Sequence, residues 1–406
     1  MNENVFIVDE PMGRGKTSAA INYVLQANPE ERFLIITPYK TEVARYKKEC
    51  SVKRFEEPSG ASGSKLEGIK DLFRNGRNIV STHALFQKFD EEIINLCKIF
   101  DYTLIMDEVA DVVDYYPLSL SDRQILLKEK LIEIDEDTKQ ISWVGDEDAY
   151  HGMFDEVKNL CKLGCLCAHQ DNVLIWLFPI EVFNVFKKTY ILTYMFDAQI
   201  QRYYYDYNKV NYKYIHVNGD SLDTYRFAEV SDDNAINHNY RELIHIIDNV
   251  KMNEIGDRRT ALSKNWFTEN KDSLVLKKLK QNTYNFFHNI CGTTGKQNLW
   301  TTFKDFRPLI SGKGYIRSFA PVNARATNEF RECTCVAYIA NVFLKPNLKM
   351  FFTERNIEVD EDGYALSEML QFIWRSAIRE YKPIQLYIPS SRMRGLLKQW
   401  IEENSI

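Results

Sequence analysis

An α/β fold built on parallel sheets is predicted for this 406-residue chain by two features of its first half. Short apolar runs rich in β-branched residues alternate with helical stretches, and the runs are continuous rather than alternating, as strands buried on both faces are. A glycine turn behind the first run, "EPMGRGKTSAA" (10–20), adds a strand–loop–helix unit of the kind that grips phosphate.

The elements follow in order. "VFIVD" (5–9), "RFLIITP" (32–38), "NIVSTH" (78–83), "YTLIMDE" (102–108) and "KTYILTY" (188–194) are the expected strands, with helices over 16–27 and 40–50 between them. Residues 115–180 interrupt this rhythm, with a hairpin expected at "LIEIDEDTKQISWV" (131–144), and read as an insertion. In the tyrosine-rich stretch 201–217, the run at 203–207 either stacks bases or, as the commoner case, belongs to a strand or linker closing a domain, and a boundary is expected near the polar segment 218–240. The α/β pattern then restarts. Helices are expected over 240–250, 328–344, 363–380 and 391–404, and strands over 259–266, 314–321 and 383–389.

Composition narrows the function classes. Hydrophobic residues make up 45% and charged residues 27%, which suits a globular chain with ample core. No apolar run approaches the ~20 residues of a membrane helix, and no signal peptide is seen. Eight cysteines are too sparse for a disulfide scaffold and fit a reducing cytoplasm. A net charge of −5 argues against a basic coat but leaves room for a local basic groove. "CKLGCLCAH" (161–169) packs its ligand types too closely for a usual zinc site, so small buried hydrophobes are the expectation.

The chemistry is concentrated in two places. Gly13 and Gly15 allow successive N–H groups to curl around a β-phosphate, Lys16 reaches the β- and γ-phosphates, and Thr17 ligates Mg²⁺. At the end of a buried apolar strand, Asp107 would hold the metal and Glu108 would orient or deprotonate an attacking water. Burying two acids there without a cation would be expensive.

With these residues in place, the chain resembles superfamily 2 helicases with tandem RecA-like domains, and phage-type members in particular. "PMGRGKT" resembles their first motif and "MDEVA" their DExx box, although Glu10 stands where Gly or Ala is usual. The resemblance implies ATP and Mg²⁺ as cofactors, bound through Pro11, Gly13, Arg14, Gly15, Lys16, Thr17, Ser18 and Asp107. It also implies nucleic-acid contacts from Thr37, Pro38 and Lys40, from Ser81, Thr82 and His83, and from Arg325, Thr327 and Asn328 in "NARATN". "ILTYMFD" (191–197) resembles the motif linking the phosphate and nucleic-acid sites. "QFIWRSAIR" (371–379) resembles the motif that places Gln371 near the nucleotide and Arg375 as an arginine finger. Arg379 falls one residue later than the family's second arginine.

The implied architecture is two RecA-like domains, 1–210 with an insertion over about 115–180, and 211–406. The implied activity is ATP-driven movement on nucleic acid in phage or mobile-element replication, on single-stranded or forked DNA rather than RNA. A cytoplasmic monomer is expected, working with replication proteins and away from membranes. Two other classes stay open: an ATP-dependent DNA-binding or remodelling factor that does not unwind, and a P-loop kinase. Basic residues of the terminal helix, in "SRMRGLLKQW", either line a phosphate surface or form a solvated face.

Overall fold

The computed structural model describes residues 4–61, 63–146, 150–170, 173–230, 239–322 and 328–405. Strands β1 (Val5–Asp9), β2 (Arg32–Thr37), β3 (Ile79–Thr82) and β4 (Tyr102–Asp107) form where the apolar runs lie. The insertion supplies β5 (Val113–Tyr115), β6 (Ile132–Ile134), β7 (Ile141–Trp143), β8 (Leu166–His169) and β9 (Val173–Leu177). β10 (Lys188–Thr193), β11 (Tyr212–Asn218) and β12 (Arg226–Ala228) then return to the first sheet. Its order is β12-β11-β1-β10-β4-β2-β3, parallel except for β12, which runs antiparallel to β11.

Side chains explain why these runs are continuously apolar. Ile7, Leu34, Ile36, Leu104, Met106 and Ile191 enter one buried cluster, while Val8, Phe33, Ile35, Ile105 and Leu192 enter another. The two-residue period sends neighbours to opposite faces, and both faces are covered. Helix α1 (Lys16–Gln26) follows β1 and helix α2 (Lys40–Glu49) follows β2. Because β10 separates β1 from β4, three strand ends come side by side, with Asp9 opposite Thr193 and Leu192 opposite Asp107.

The insertion folds as expected around its hairpin. β6 and β7 pair antiparallel, β5, β9 and β8 make a three-stranded antiparallel sheet, and Leu126, Ile141, Trp143, Val157 and Leu166 share a core. Cys161, Cys165 and Cys167 are buried among apolar side chains, and burial pushes the Cys161 thiol up to about 12. The tyrosines of 203–205 are neither strand nor linker. They lie on a helix, Ile200–Tyr207, and are fully buried, because an aromatic face completes the first core better than it would a surface.

The chain divides into two units, Met1–Asp232 with Lys345–Val359, and Asp233–Leu344 with Asp360–Ile406. The first runs past residue 210 because β11 pairs with β1. Segment 345–359 belongs to it through Leu348, Phe351, Phe352 and Ile357, which join the first unit's core, and through a Lys345–Asp114 ion pair.

The second unit holds a four-stranded parallel sheet, β13-β16-β15-β14. Its strands are β13 (Ile244–Ile246), β14 (Asn298–Thr301), β15 (Cys335–Tyr338) and β16 (Ile384–Tyr387). Several expected elements differ here. The helix over 240–250 stops at Leu243 and becomes β13, and the helix over 328–344 is instead the turn Asn328–Phe330 followed by β15. Short apolar runs have no period of their own, and pairing in a buried sheet settled both. The strand over 259–266 is a turn leading into a helix, Lys264–Glu269, whose first turn is capped by Ser263 accepting from Trp266 N–H. The strand over 314–321 reduces to one bridge, Trp300 with Phe319. The helix over 363–380 spans only Glu361–Ile373, so Arg375 lies beyond it and Arg379 sits in a separate turn, Ala377–Glu380.

Candidate functional site

The loop between β1 and α1 takes the shape its glycines allow. Gly13 and Gly15 have φ of 87° and 80°, the left-handed region that a Cβ disfavours, and Gly15 caps α1. The helix N-terminus therefore opens on the loop with its first N–H groups and positive dipole end. Lys16 Nζ donates to the backbone carbonyls of Glu10 and Pro11 (3.1 Å to the latter). Burial pulls the Lys16 ammonium below its ordinary value, against the opposing pull of Glu108, Asp9, Asp107 and Glu10. Ser18 is buried, and Arg14 Nε lies 4.0 Å from Glu10 Oε2.

The acid pair stands beside this loop. Thr17 Oγ1 donates toward the two Asp107 carboxylate oxygens at 3.5 and 3.4 Å, and the Tyr46 hydroxyl donates to Asp107 Oδ2 at 3.4 Å. Burial, helped by the negative charges of Glu42 and Glu108, raises the Asp107 carboxyl to about 7. A hydroxyl and a carboxylate in this relation suit a hard, oxygen-ligated cation such as Mg²⁺, and a cation would supply the charge Asp107 lacks. Glu108 is held at φ 89°, unusual for a residue with a Cβ, and accepts a hydrogen bond from Thr193 Oγ1 at 2.8 Å. Asp9 accepts from the Phe196 N–H at 2.9 Å, which fastens the end of β1 to the segment after β10. Tyr46, Thr193 and Asp9 were missed as site residues in the sequence. Thr193 lies within the segment 191–197, whereas nothing in the spacing marks Tyr46.

The other expected residues are placed differently. Thr37 is buried, and its hydroxyl closes a local turn, donating to Tyr39 O at 3.0 Å and accepting Tyr39 N–H at 3.1 Å. Ser81 and His83 are buried, Pro38 and Thr82 are partly exposed, and Lys40 is exposed. Arg325 and Thr327 fall outside the described residues, and Asn328 opens the Asn328–Phe330 turn.

Within the second unit, Gln371 lies in the last turn of the helix Glu361–Ile373 and is partly exposed, as is Arg379. Arg375 is only 2% exposed, donates to Pro321 O at 3.3 Å and lies over the Phe372 ring. On the terminal helix, Arg392 is held by Asp362, Asn341 Oδ1 and Val342 O, and Arg394 by Ile388 O and Pro389 O. These two arginines secure their own unit.

A mostly parallel sheet with a glycine-turned loop after one strand and an acid pair two strands away defines an α/β protein with a strand–loop–helix unit of the phosphate-loop shape in its first unit. Residues 113–176 match the family model described as the YonV middle domain, and residues 238–401 match the YonV C-terminal Rossmann-like domain. The chain is 40% identical over 412 residues to the SPbeta prophage-derived uncharacterized protein YonV of Bacillus subtilis (strain 168), covering 98% of this chain and 99% of that one. It belongs to the YonV family.

Among solved structures, similarity extends to one described as an XPD helicase, at 11% identity and TM-score 0.43 over 100% of this chain and 96% of that one. It extends also to Xpd4 of S. tokodaii, at 11% and 0.48 over 98% and 94%. A DEAD box protein of Methanococcus jannaschii follows at 11% and 0.29 over 99% and 86%. Among the described residues, no helix is long and apolar enough to cross a membrane.

Proposed function

We propose that this chain is an ATP-dependent helicase or translocase acting on nucleic acid, with single-stranded or forked DNA as its preferred track. The observation that carries the reading is the convergence of Lys16, Thr17, Asp107 and Glu108 from two strand ends around one loop, with Thr17 and Asp107 within 3.5 Å. In this reading the loop N–H groups and Lys16 hold the phosphates, and Thr17 and Asp107 hold Mg²⁺. The metal supplies charge neutralisation on the phosphate oxygens. Glu108, steered by Thr193, takes the proton from the attacking water, which is why its carboxylate is tied to the strand between the loop and the acid pair.

The second unit supplies Arg375 as the finger, with Gln371 and Arg379 near it. Lys40, Arg325, Thr327 and Asn328 join Thr37, Pro38, Ser81, Thr82 and His83 as the nucleic-acid contacts. A prophage-derived relative fits replication of a phage or mobile element in the bacterial cytoplasm, with the chain working as a monomer beside replication proteins.

Two observations favour a second reading. Arg375 is engaged inside its own unit by Pro321, and Thr37, Ser81 and His83 are buried, which suits a nucleotide-controlled binding or remodelling factor that does not unwind. ATP turnover measured with and without single-stranded DNA, forked DNA, duplex and RNA at several salt concentrations separates the classes. A rise of about tenfold or more with a single strand or fork supports the helicase reading. A weak response favours the binding factor, and indifference to nucleic acid favours a kinase.

A further inference from the structure

Tyr225 belongs to none of the motifs above, yet the fold lays it against the phosphate loop. After β11 the chain turns at 219–225, where the Thr224 hydroxyl oxygen accepts from the Asp220 and Ser221 N–H groups at 3.1 and 3.0 Å, and returns as β12. Asn22 lies on α1 about two turns beyond Gly15. Its Nδ2 donates to Leu222 O at 2.8 Å and to Tyr225 O at 2.9 Å, pinning the turn to the helix. A Cβ placed on Gly15 would meet three carbons of the Tyr225 ring at 2.6 Å. The start of the segment is fastened as well. The Glu10 carboxylate, at the position where Gly or Ala is usual, accepts Val217 N–H at 3.3 Å and stands 3.2 Å from His216 Nδ1. On β12 itself, Phe227 stacks on Tyr190 with ring centroids 5.0 Å apart. Residues 216–228 are thus attached to the loop and α1 at three separate points.

Phosphates held on the loop at the N-terminus of α1 direct the rest of a nucleotide outward past that end of the helix. The segment 219–228 walls the loop on the β11 side, and Tyr225 is the aromatic group it presses onto Gly15 while staying partly exposed. We propose that Tyr225 is the platform on which the nucleobase stacks, so that residues 216–228 form the base side of the nucleotide pocket. This rests on the phosphate-loop reading given above. Ring-on-base stacking tolerates any base, so adenine and guanine nucleotides bind with similar affinity.

The test is calorimetric titration of the full chain with Mg²⁺–ATP and, separately, with Mg²⁺–tripolyphosphate, which carries the phosphates without a base. Tyr225→Ala weakens ATP binding by about 5- to 150-fold, the range of a lost stacking contact, and leaves tripolyphosphate within twofold of wild type. Tyr225→Phe and Tyr225→Trp keep ATP affinity. ATP affinity unchanged in Tyr225→Ala overturns the proposal alone, and so does an equal fall for both ligands, which marks a merely structural ring. A wild-type chain that binds neither ligand overturns the phosphate-loop reading, and the stacking proposal with it.

Discussion

Thr17 and Asp107 are 90 positions apart in the chain, yet the threonine hydroxyl stands 3.5 and 3.4 Å from the two oxygens of the aspartate. The relation exists because the loop after β1 leads directly into α1 and because β4 lies two strands away in the same sheet. It puts a half-buried acid, raised to about 7, beside the loop that would hold phosphate.

A protonation consequence follows for Asp107. Its folded-state value lies above the ordinary carboxylate value near 3.8, so between those limits the folded chain binds the extra proton. Stability from this group therefore falls as pH rises from about 4 to about 7, and the buried charge is destabilising above that. Without nucleotide or Mg²⁺, Asp107→Asn raises Tm at pH 8 by more than at pH 5, where the folded carboxyl is still neutral and only the unfolded chain has released the proton. Mg²⁺-dependent ATP affinity in the wild type rises with pH through about 7, and the Asn variant loses both the affinity and the slope. Calorimetric melting and titration at the two pH values check this.

Glu108→Gln keeps the size of the side chain and its capacity to accept from Thr193, but removes the base. ATP affinity stays within a few-fold of wild type, while turnover falls by about 10²–10⁴. Single-turnover assays with filter-bound ATP read the trapped state. Loss of affinity equal to that in Asp107→Asn would contradict the separate roles.

Lys16→Ala removes the ammonium that reaches the phosphates. Its hydrogen bonds go to two loop carbonyls, and its burial already disfavours the charge, so Tm changes little. ATP binding weakens at least tenfold and hydrolysis is abolished. Near-normal turnover in this variant would remove the P-loop reading altogether.

Arg375 separates the two readings of the second unit. As a finger, Arg375→Ala preserves ATP affinity and lowers nucleic-acid-stimulated turnover by about 10³–10⁵. As an internal strut bonded to Pro321 O, it lowers the Tm instead, with turnover per folded molecule within a few-fold of wild type. Arg379→Ala, with its partly exposed side chain in a separate turn, has the milder effect on turnover. Melting curves and turnover on the same samples decide between them.

Much of the first unit was legible from residues alone, because local chemistry and burial agree there. The runs at β1, β2, β3, β4 and β10 carry apolar residues at successive positions since both faces of the sheet are covered, and Gly13 and Gly15 mark a turn that only glycine takes easily. The strand–loop–helix unit and the Asp107–Glu108 pair are written in consecutive residues, so spacing sufficed to find them. Short runs in the second unit were not readable in this way. "IHI" at 244–246 and "CVAY" at 335–338 suit helix and strand equally, and the neighbour each found in the four-stranded sheet decided. Helix 363–380 looked continuous because its apolar spacing persists past Ile373, but the bend that sets Arg375 against Pro321 depends on packing distant in sequence. Tyr46 on Asp107, Thr193 on Glu108 and Tyr225 on Gly15 likewise come from elements far apart in the chain. Sequence alone determined which residues can bend, donate or carry charge. The tertiary structure decided which of them meet, since strand order and helix packing set distances that no local spacing contains.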